Sequence, residues 1–349
     1  MKYLSVCSGI EAATVAWHGL GWTPVAFSEI EPFPAAVLSH HYQTVPNLGD
    51  LTKYREWPEE LLAEVDLLVG GTPCQAFSVA GKRQSLDDER GNLSLVYVNL
   101  YHHINKVRER HGRSPAIALW ENVPGVLSTK DNAFGCFIGG LLGCDEAPQT
   151  ESGKWDKAGF LSSETVRVGY RVLDAQYFGV AQRRRRVFLV AVPCELVERF
   201  GERACPSEIL SLRESVLGNP PARGAAWEGV ARATASGLKT PAVAFANRTR
   251  NGIKVPEVMK GGVVPALTNP GNGGRSDAVN VASAMQVRRL TPTECAYLQG
   301  FPADYLDIFF RKKPAADGPK YRALGNSMAV PCMWWLGYRI DKATRRDNP

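Results

Sequence analysis

Along the first third of the chain, short β-rich apolar runs alternate with longer stretches of helical spacing. Residues 3–7, 23–28, 66–69 and 116–120 read as strands, each a brief run of apolar and β-branched side chains closed by a polar or breaking residue. Between them, residues 11–20, 34–42, 59–65 and 93–110 repeat apolar positions three and four apart, the spacing of a helix with one buried face. Strands alternating with helices are the mark of crossover units, so the pattern predicts an α/β fold with a mostly parallel sheet. Residues 171–173 and 187–192 add two further strands.

Beyond residue 194 the pattern dissolves. From 195 to 286 the chain is rich in Gly, Pro, Arg and Asn, as in Asn219-Pro220-Pro221 and Asn269-Pro270-Gly271-Asn272-Gly273-Gly274, and its periodicity is weak. A second, smaller, loop-rich domain is expected there, after a first domain at 1–194 and before a segment at 287–349 that returns to it. Regular structure resumes where Thr291 stands as a helix N-cap, with Pro292 in the first turn and Glu294 completing a capping box. One more helix is expected over residues 323–336.

With 44% hydrophobic and 22% charged residues in 349, the composition is that of a globular protein and excludes disorder, collagen and coiled coil. The longest apolar runs, such as 187–193, fall far short of the roughly 20 residues of a membrane span. The chain begins directly in a strand without a signal-peptide pattern, so a cytoplasmic protein is expected. The net charge of +6 (41 − 35) is compatible with a polyanionic partner, and arginine clusters at 183–186. Eight cysteines are scattered without a C-x-x-C, and all six histidines lie at or before His111. Neither a disulfide frame nor a metal centre is expected, which leaves single thiols, one of them a candidate nucleophile.

Three stretches carry chemistry. The first strand runs into Ser8-Gly9 and then a helix, which is how a doubly wound domain presents backbone N–H groups to a cofactor at the carboxyl edge of its sheet. A G-x-G-x-x-G is absent, which disfavours a dinucleotide, while Glu29 and Asp50 can accept hydrogen bonds from a ribose or an adenine amine. In the second stretch, Gly70-Gly71-Thr72-Pro73-Cys74-Gln75, a thiol follows a strand end directly and is placed to attack a substrate in the cleft. Lys82-Arg83 behind it can meet phosphates. The third, Trp120-Glu121-Asn122-Val123-Pro124, puts a half-desolvated carboxyl group at another strand end, where it can act as a general acid.

Taken in order, these elements resemble the DNA (cytosine-5)-methyltransferase family over almost the whole chain. Ser8-Gly9-Ile10-Glu11-Ala12 is similar to its first cofactor motif, Pro73-Cys74-Gln75 to its nucleophile motif, Arg90-Gly91-Asn92-Leu93 to the motif after its mobile loop, and Glu121-Asn122-Val123 to its acid motif. Gln182-Arg183-Arg184-Arg185-Arg186 is similar to its Gln-x-Arg-x-Arg signature. Arg289-Leu290-Thr291-Pro292-Thr293-Glu294 and Gly325-Asn326-Ser327-Met328-Ala329-Val330-Pro331 resemble its last two motifs. Cys7 departs from the pattern, standing where the family usually has an aromatic, and Ile30 stands where a bulkier stacking residue is common.

The resemblance implies a Rossmann-like S-adenosylmethionine-dependent methyltransferase fold with a target-recognition domain at 195–286. It also implies methyl transfer from S-adenosyl-L-methionine to C5 of a flipped-out cytosine in double-stranded DNA. Cys74 would be the nucleophile, Glu121 the acid, and Arg184 and Arg186 the cations that bind the base or support the site. Cofactor contacts are expected from Ser8, Gly9, Ile10, Glu11, Glu29, Ile30, Asp50, Leu51, Gly71, Pro73, Leu93, Asn326 and Ser327. DNA contacts are expected from Gln75, Ser78, Lys82 and Arg83 in the loop and from Arg248, Arg250 and Arg275 beyond it. A monomer is expected, with a cognate restriction endonuclease acting separately. The rival readings are an RNA methyltransferase of the same fold and a DNA-binding relative that has lost catalysis.

Overall fold

The computed structural model describes residues 1–73, 93–212, 243–250, 253–258, 264–265, 279–283 and 286–345. Eight strands form in the first part of the chain: β1 Lys2–Val6, β2 Thr23–Ser28, β3 Leu67–Gly70, β4 Ile117–Asn122, β5 Ala158–Ser162, β6 Val166–Asp174, β7 Gln182–Arg183 and β8 Arg185–Pro193. All but β7 join one sheet in the order β2-β1-β3-β4-β8-β6-β5. The β2-β1-β3-β4 half is parallel, β8 runs antiparallel to β4 and β6, and β5 antiparallel to β6. Five of the seven strands therefore point one way, as the alternating pattern predicts.

Why the central strands read as unbroken apolar runs is visible in their burial. Along β3 and β4, Leu67, Val69, Ile117 and Leu119 enter one core, while Leu68, Ala118 and Trp120 enter the other. A strand buried on both faces has no solvent side, so the period of two is hidden in the sequence. The first core is closed by the helices Ala12–Trp17 and Val330–Thr344, and the second by Leu93–Arg110 and Ala133–Leu142. Trp17 Nε1 donates to Met333 O at 2.7 Å, tying the two ends of the chain together. Tyr97 OH donates to Leu68 O and Leu119 O at 3.1 and 3.0 Å, pinning its helix across β3 and β4.

Two expectations change. The helix expected over 323–336 is two helices, Asp317–Asn326 and Val330–Thr344, separated by Ser327, Met328 and Ala329. Pro331 sits in the first turn of the second, where its missing N–H costs nothing. Within the loop-rich region, β9 Val243–Arg250, β10 Ile253–Val258, β12 Val279–Ser283 and β13 Gln286–Arg289 build an antiparallel sheet in the order β10-β9-β12-β13. Another short strand, β11 Val264–Pro265, pairs with β7. The change of composition near residue 195 does not coincide with the edge of the first core, because Leu196, Val197, Ala204, Cys205, Ile209 and Leu210 all pack in it.

In chain order β1 leads to β2 on one side, and the chain then crosses to β3 on the other. The carboxyl ends of β1 and β3 thus flank a topological switch point, where open α/β sheets bind ligands.

Candidate active site

The turn after β1 is held in an unusual conformation. Cys7, Gly9 and Glu11 have φ values of 48°, 56° and 64°, and two of the three are not glycine. Ser8 anchors the turn by donating from its N to Ser28 O at 3.2 Å and from its Oγ to Ser5 O at 2.8 Å. Glu29, at the end of β2, accepts from Gly9 N and Glu31 N, each at 2.7 Å. Burial raises the proton affinity of Glu29, partly offset by these bonds. Each of its oxygens retains a second lone pair for a hydroxyl donor.

Glu11 is 1% exposed and caps the helix Ala12–Trp17. Its Oε1 accepts from Thr14 N at 3.2 Å and Thr14 Oγ1 at 3.1 Å, and its Oε2 from Ser5 Oγ at 2.8 Å. Desolvation outweighs those bonds and pushes its carboxyl up to about 7. Asp50 lies at the same sheet edge, because Leu48 N donates to Phe27 O and Ser28 Oγ to Gly49 O, both at 2.7 Å. Its Oδ1 caps the next short helix through Thr52 N and Oγ1, at 2.9 and 2.8 Å.

At the end of β3 the glycines are needed for close approach. A Cβ on Gly70 would fall 2.6 Å from Val6 Cγ2, and one on Gly71 would lie 3.1 Å from Met328 Cε and 3.2 Å from Glu121 Oε2. Thr72, which the motif reading passed over, is the fastener. Trp120 Nε1 donates to its Oγ1 at 2.9 Å, Ser94 Oγ meets that oxygen at 2.7 Å, and Asn122 Nδ2 donates to its carbonyl at 2.9 Å. The strand end that leads through Pro73 is thereby clamped to β4 and to the helix Leu93–Arg110.

Glu121 ends β4 and is buried. Arg186 Nε comes within 3.1 Å of Glu121 Oε1, but without hydrogen-bond alignment, so that oxygen keeps its accepting capacity. Strand geometry puts alternate residues on one face, and here Arg183 and Arg185 are exposed while Arg184 is buried and Arg186 half-buried. The two inward arginines have different work. Arg184 Nη2 donates to Gly325 O at 3.1 Å and Ser327 O at 2.6 Å, fastening the link between the last two helices. Burial and the neighbouring Arg186 bring Arg184 down to about 9, so it is still a cation at neutral pH. Of the two roles expected of these arginines, binding the base or supporting the site, Arg184 is seen supporting the link at residues 325–327, and Arg186 makes the close approach to Glu121.

Residues 5–9, Glu11, Gly71, Glu121 and residues 326–328 line a cleft open to solvent. Six of the expected cofactor residues line it, namely Ser8, Gly9, Glu11, Gly71, Asn326 and Ser327. Glu29 and Asp50 stand beyond its wall, with Ile30 66% exposed beside Glu29. The side chains of Ile10 and Leu51 are buried in the cores, which leaves their backbones for any contact with a cofactor. The left-handed turn swings the Ile10 side chain into the first core, leaving its carbonyl to accept from Tyr305 OH at 2.7 Å, and Leu51 packs into the second. Leu93 packs against the second core and Pro73 is exposed. Cys74, Gln75, Ser78, Lys82, Arg83 and Arg275 lie outside the described residues. Arg248 and Arg250 fall two apart in β9, opposite Val255 and Ile253 of β10.

Comparison with known proteins agrees with this geometry. A protein described as a DNA N-6-adenine-methyltransferase of Escherichia phage P1 is 37% identical over 99% of this chain, which spans 62% of that protein's length. Type II methyltransferase M2.BsuMI of Bacillus subtilis (strain 168) is 27% identical over 98% of this chain and 76% of its own. Among solved structures, DNMT2 of Spodoptera frugiperda superposes with a TM-score of 0.59 at 17% identity, covering 97% of this chain and 99% of that one. The C-5 cytosine-specific DNA methylase family model matches residues 1–215 and 220–342, taking in the β1 turn, the Glu121 strand, the paired arginines and the returning C-terminal helices. By that match the chain belongs to the C-5 cytosine-specific DNA methylase family.

Proposed function

We propose that the protein methylates C5 of a cytosine extruded from double-stranded DNA, with S-adenosylmethionine as methyl donor. The observation that carries the reading is the Glu121–Arg186 pair, 3.1 Å apart on adjacent strands, with Glu121 in the wall of the cleft at the end of β3. Three residues further along the chain from Gly71 stands Cys74. An acid, a cation and a thiol at adjoining strand ends are the groups that addition to a cytosine ring requires.

The cleft suits the cofactor on its own evidence. It is acidic, with Glu11 in its wall and Glu29 at its edge, and Gly71 leaves open the space that a side chain would fill. When bound, the cofactor supplies a methyl group made electrophilic by its sulfonium. Ser8, Gly9 and Glu11 of the turn and Asn326 and Ser327 of the C-terminal link would hold it, with Glu29 and Asp50 accepting from its ribose and adenine and Ile30 beside them.

Cytosine C5 is a weak nucleophile, and the role of the chain is to change that. The Cys74 thiolate forms a bond to C6, and the electrons displaced from the C5–C6 double bond make C5 enamine-like as charge builds toward N3. Glu121 delivers a proton at N3, and the neighbouring Arg186 balances its charge once the proton has left. After C5 has been methylated, loss of the C5 proton, elimination of the Cys74 thiolate from C6 and return of the N3 proton to Glu121 restore the aromatic ring and the starting enzyme. C6 is out of reach inside a duplex, so the base leaves the stack first. The antiparallel sheet of β10-β9-β12-β13, which runs on to Arg289, is read as the body of the domain that selects the target sequence.

A second reading rests on the phage P1 relative, whose description names N6 of adenine. An exocyclic amine takes a methyl group without addition to the ring, which leaves Cys74 and Glu121 without a task. Nucleoside analysis of DNA incubated with the protein and labelled cofactor separates the two readings. 5-Methylcytosine is expected, along with a covalent adduct to 5-fluorocytosine DNA that Cys74→Ser abolishes. Label in N6-methyladenine, or in transfer RNA alone, would refute the proposal.

A further inference from the structure

Resting on the cofactor reading above, we propose that Glu11 is the specificity residue by which the cleft tells the positively charged methyl donor from its uncharged product. The arrangement around Glu11 is an expensive one. Glu11 occupies a backbone conformation, φ 64°, that suits glycine, yet carries a charged side chain that is almost fully buried in the cleft wall.

The groups around that carboxylate are neutral or acidic. Ser5 Oγ comes from β1 and Thr14 N and Oγ1 from the following helix, and all three donate to it. Thr14 Oγ1 in turn meets Tyr3 OH at 2.7 Å, and Tyr42 OH meets Tyr305 OH at 3.0 Å. Burial pushes Tyr42 up to about 12 and Tyr3 and Tyr305 higher, so these phenols stay protonated. Cys7 is likewise pushed up to about 12, and the remaining charge acting on Glu11 is that of Glu29, which disfavours ionisation. Among the described residues no ion pair includes Glu11.

A buried carboxylate with three donors and no cation is ready to ionise as soon as a positive charge arrives. The methyl donor brings a sulfonium and an ammonium against one carboxylate, a net charge of +1. Its thioether product has lost the sulfonium and is neutral. Because burial raises Glu11 so that it holds its proton far above the ordinary carboxylate range, a cation arriving in the cleft draws the proton off. Linkage is reciprocal, so the donor gains affinity from the ionised Glu11 that the product does not. The device favours release of product after turnover.

The test is titration calorimetry of the wild-type protein at pH 7 with S-adenosylmethionine and with S-adenosylhomocysteine, in buffers of different ionisation enthalpy. A net release of protons is expected on binding the first and almost none on binding the second. In Glu11→Gln the release should vanish, and preference for the charged ligand should fall roughly tenfold, the equivalent of one pKa unit. The glutamine fits: its oxygen can take both Thr14 donors, and its amide can face a Ser5 hydroxyl that has turned round. Equal proton release with both ligands in the wild type overturns the proposal without recourse to any variant. So does release that persists in Glu11→Gln and disappears in Glu29→Gln. If the wild type binds neither ligand, the cofactor reading itself has failed, an outcome distinct from equal binding with no discrimination.

Discussion

Replacing Glu11 by glutamine should change how the ligand-free protein responds to pH, and by an amount that the structure allows to be worked out. The folded protein holds the Glu11 proton up to about pH 7, whereas an unfolded chain releases it near the ordinary 4.5. Between those values the folded state binds more protons than the unfolded. The contribution to stability is therefore complete below about 4.5 and lost as pH rises through 7. At about 1.4 kcal/mol per pKa unit, the loss comes to about 3 kcal/mol. Glutamine imitates the protonated acid at every pH, so Glu11→Gln should match the wild type near pH 4.5 and be the more stable protein by about 3 kcal/mol at pH 8.5. Unfolding entropy of about 2.1 cal/mol/K per residue turns this into a difference of about 4 °C in melting temperature for a chain of this length. Paired thermal melts from pH 4.5 to 8.5 measure it. Two melting curves that track each other across the whole range would show that Glu11 is not strained by its burial.

Gly337 lies where the C-terminal helix crosses Trp17, and a Cβ there would fall 2.2 Å from Trp17 Nε1 and 2.4 Å from its Cδ1. Gly337→Ala should push the indole off the Met333 carbonyl and cost about 3 kcal/mol, read as a lowered urea midpoint. The two inward arginines should separate kinetically. Arg186→Gln should lower kcat with cofactor affinity kept, whereas Arg184→Met frees the Gly325 and Ser327 carbonyls and should weaken cofactor binding as well, as equilibrium binding beside single-turnover rates would show. Lys82 and Arg83 should act on all DNA alike, so neutralising either flattens the salt dependence of binding by about one unit of slope. Among Arg248, Arg250 and Arg275, at least one change should relax the methylated site, since base-edge contacts discriminate by about 1–3 kcal/mol. Bisulfite sequencing of a treated random library reads that preference directly.

What the sequence made legible was what is local. The capping box forms as expected, with Glu294 N donating to Thr291 Oγ1 at 3.2 Å and Thr291 N to Glu294 Oε2 at 2.7 Å, because all its partners lie within four residues. Helix Leu93–Arg110 has the expected bounds. The first strand ends one residue early, at Val6, because Cys7 already has a positive φ. Less legible were the positions whose side-chain direction is decided by distant partners. Ile10 and Leu51 sit in motifs, but whether such a residue faces the cleft or the core depends on how the turn enters the helix. Nothing within the arginine run distinguishes Arg184 from Arg186, since both face inward, and only the arrival of residues 325–327 gives Arg184 its carbonyls. In the glycine- and proline-rich region, strand pairing outweighed weak periodicity.

The same separation explains why the site has more essential residues than its motifs display. On the proposed reading the chemistry resides in Glu121, Arg186 and Cys74, while the strand ends around Glu121 and Pro73 are held by bonds that span the chain: Asn122 to the Thr72 carbonyl across 50 residues, and Arg184 to the Ser327 carbonyl across 143. Thr72 has three partners and is buried, so its loss strands Trp120 Nε1, Ser94 and the strand end before Pro73 at once. Glu121 is one residue from Trp120 and one from Asn122, and any slackening there moves it against Arg186. A catalytic carboxyl 3.1 Å from its cation has little room to drift. The hydroxyl of Thr72, which takes no part in the chemistry, is therefore what keeps the acid and the nucleophile-bearing strand in register.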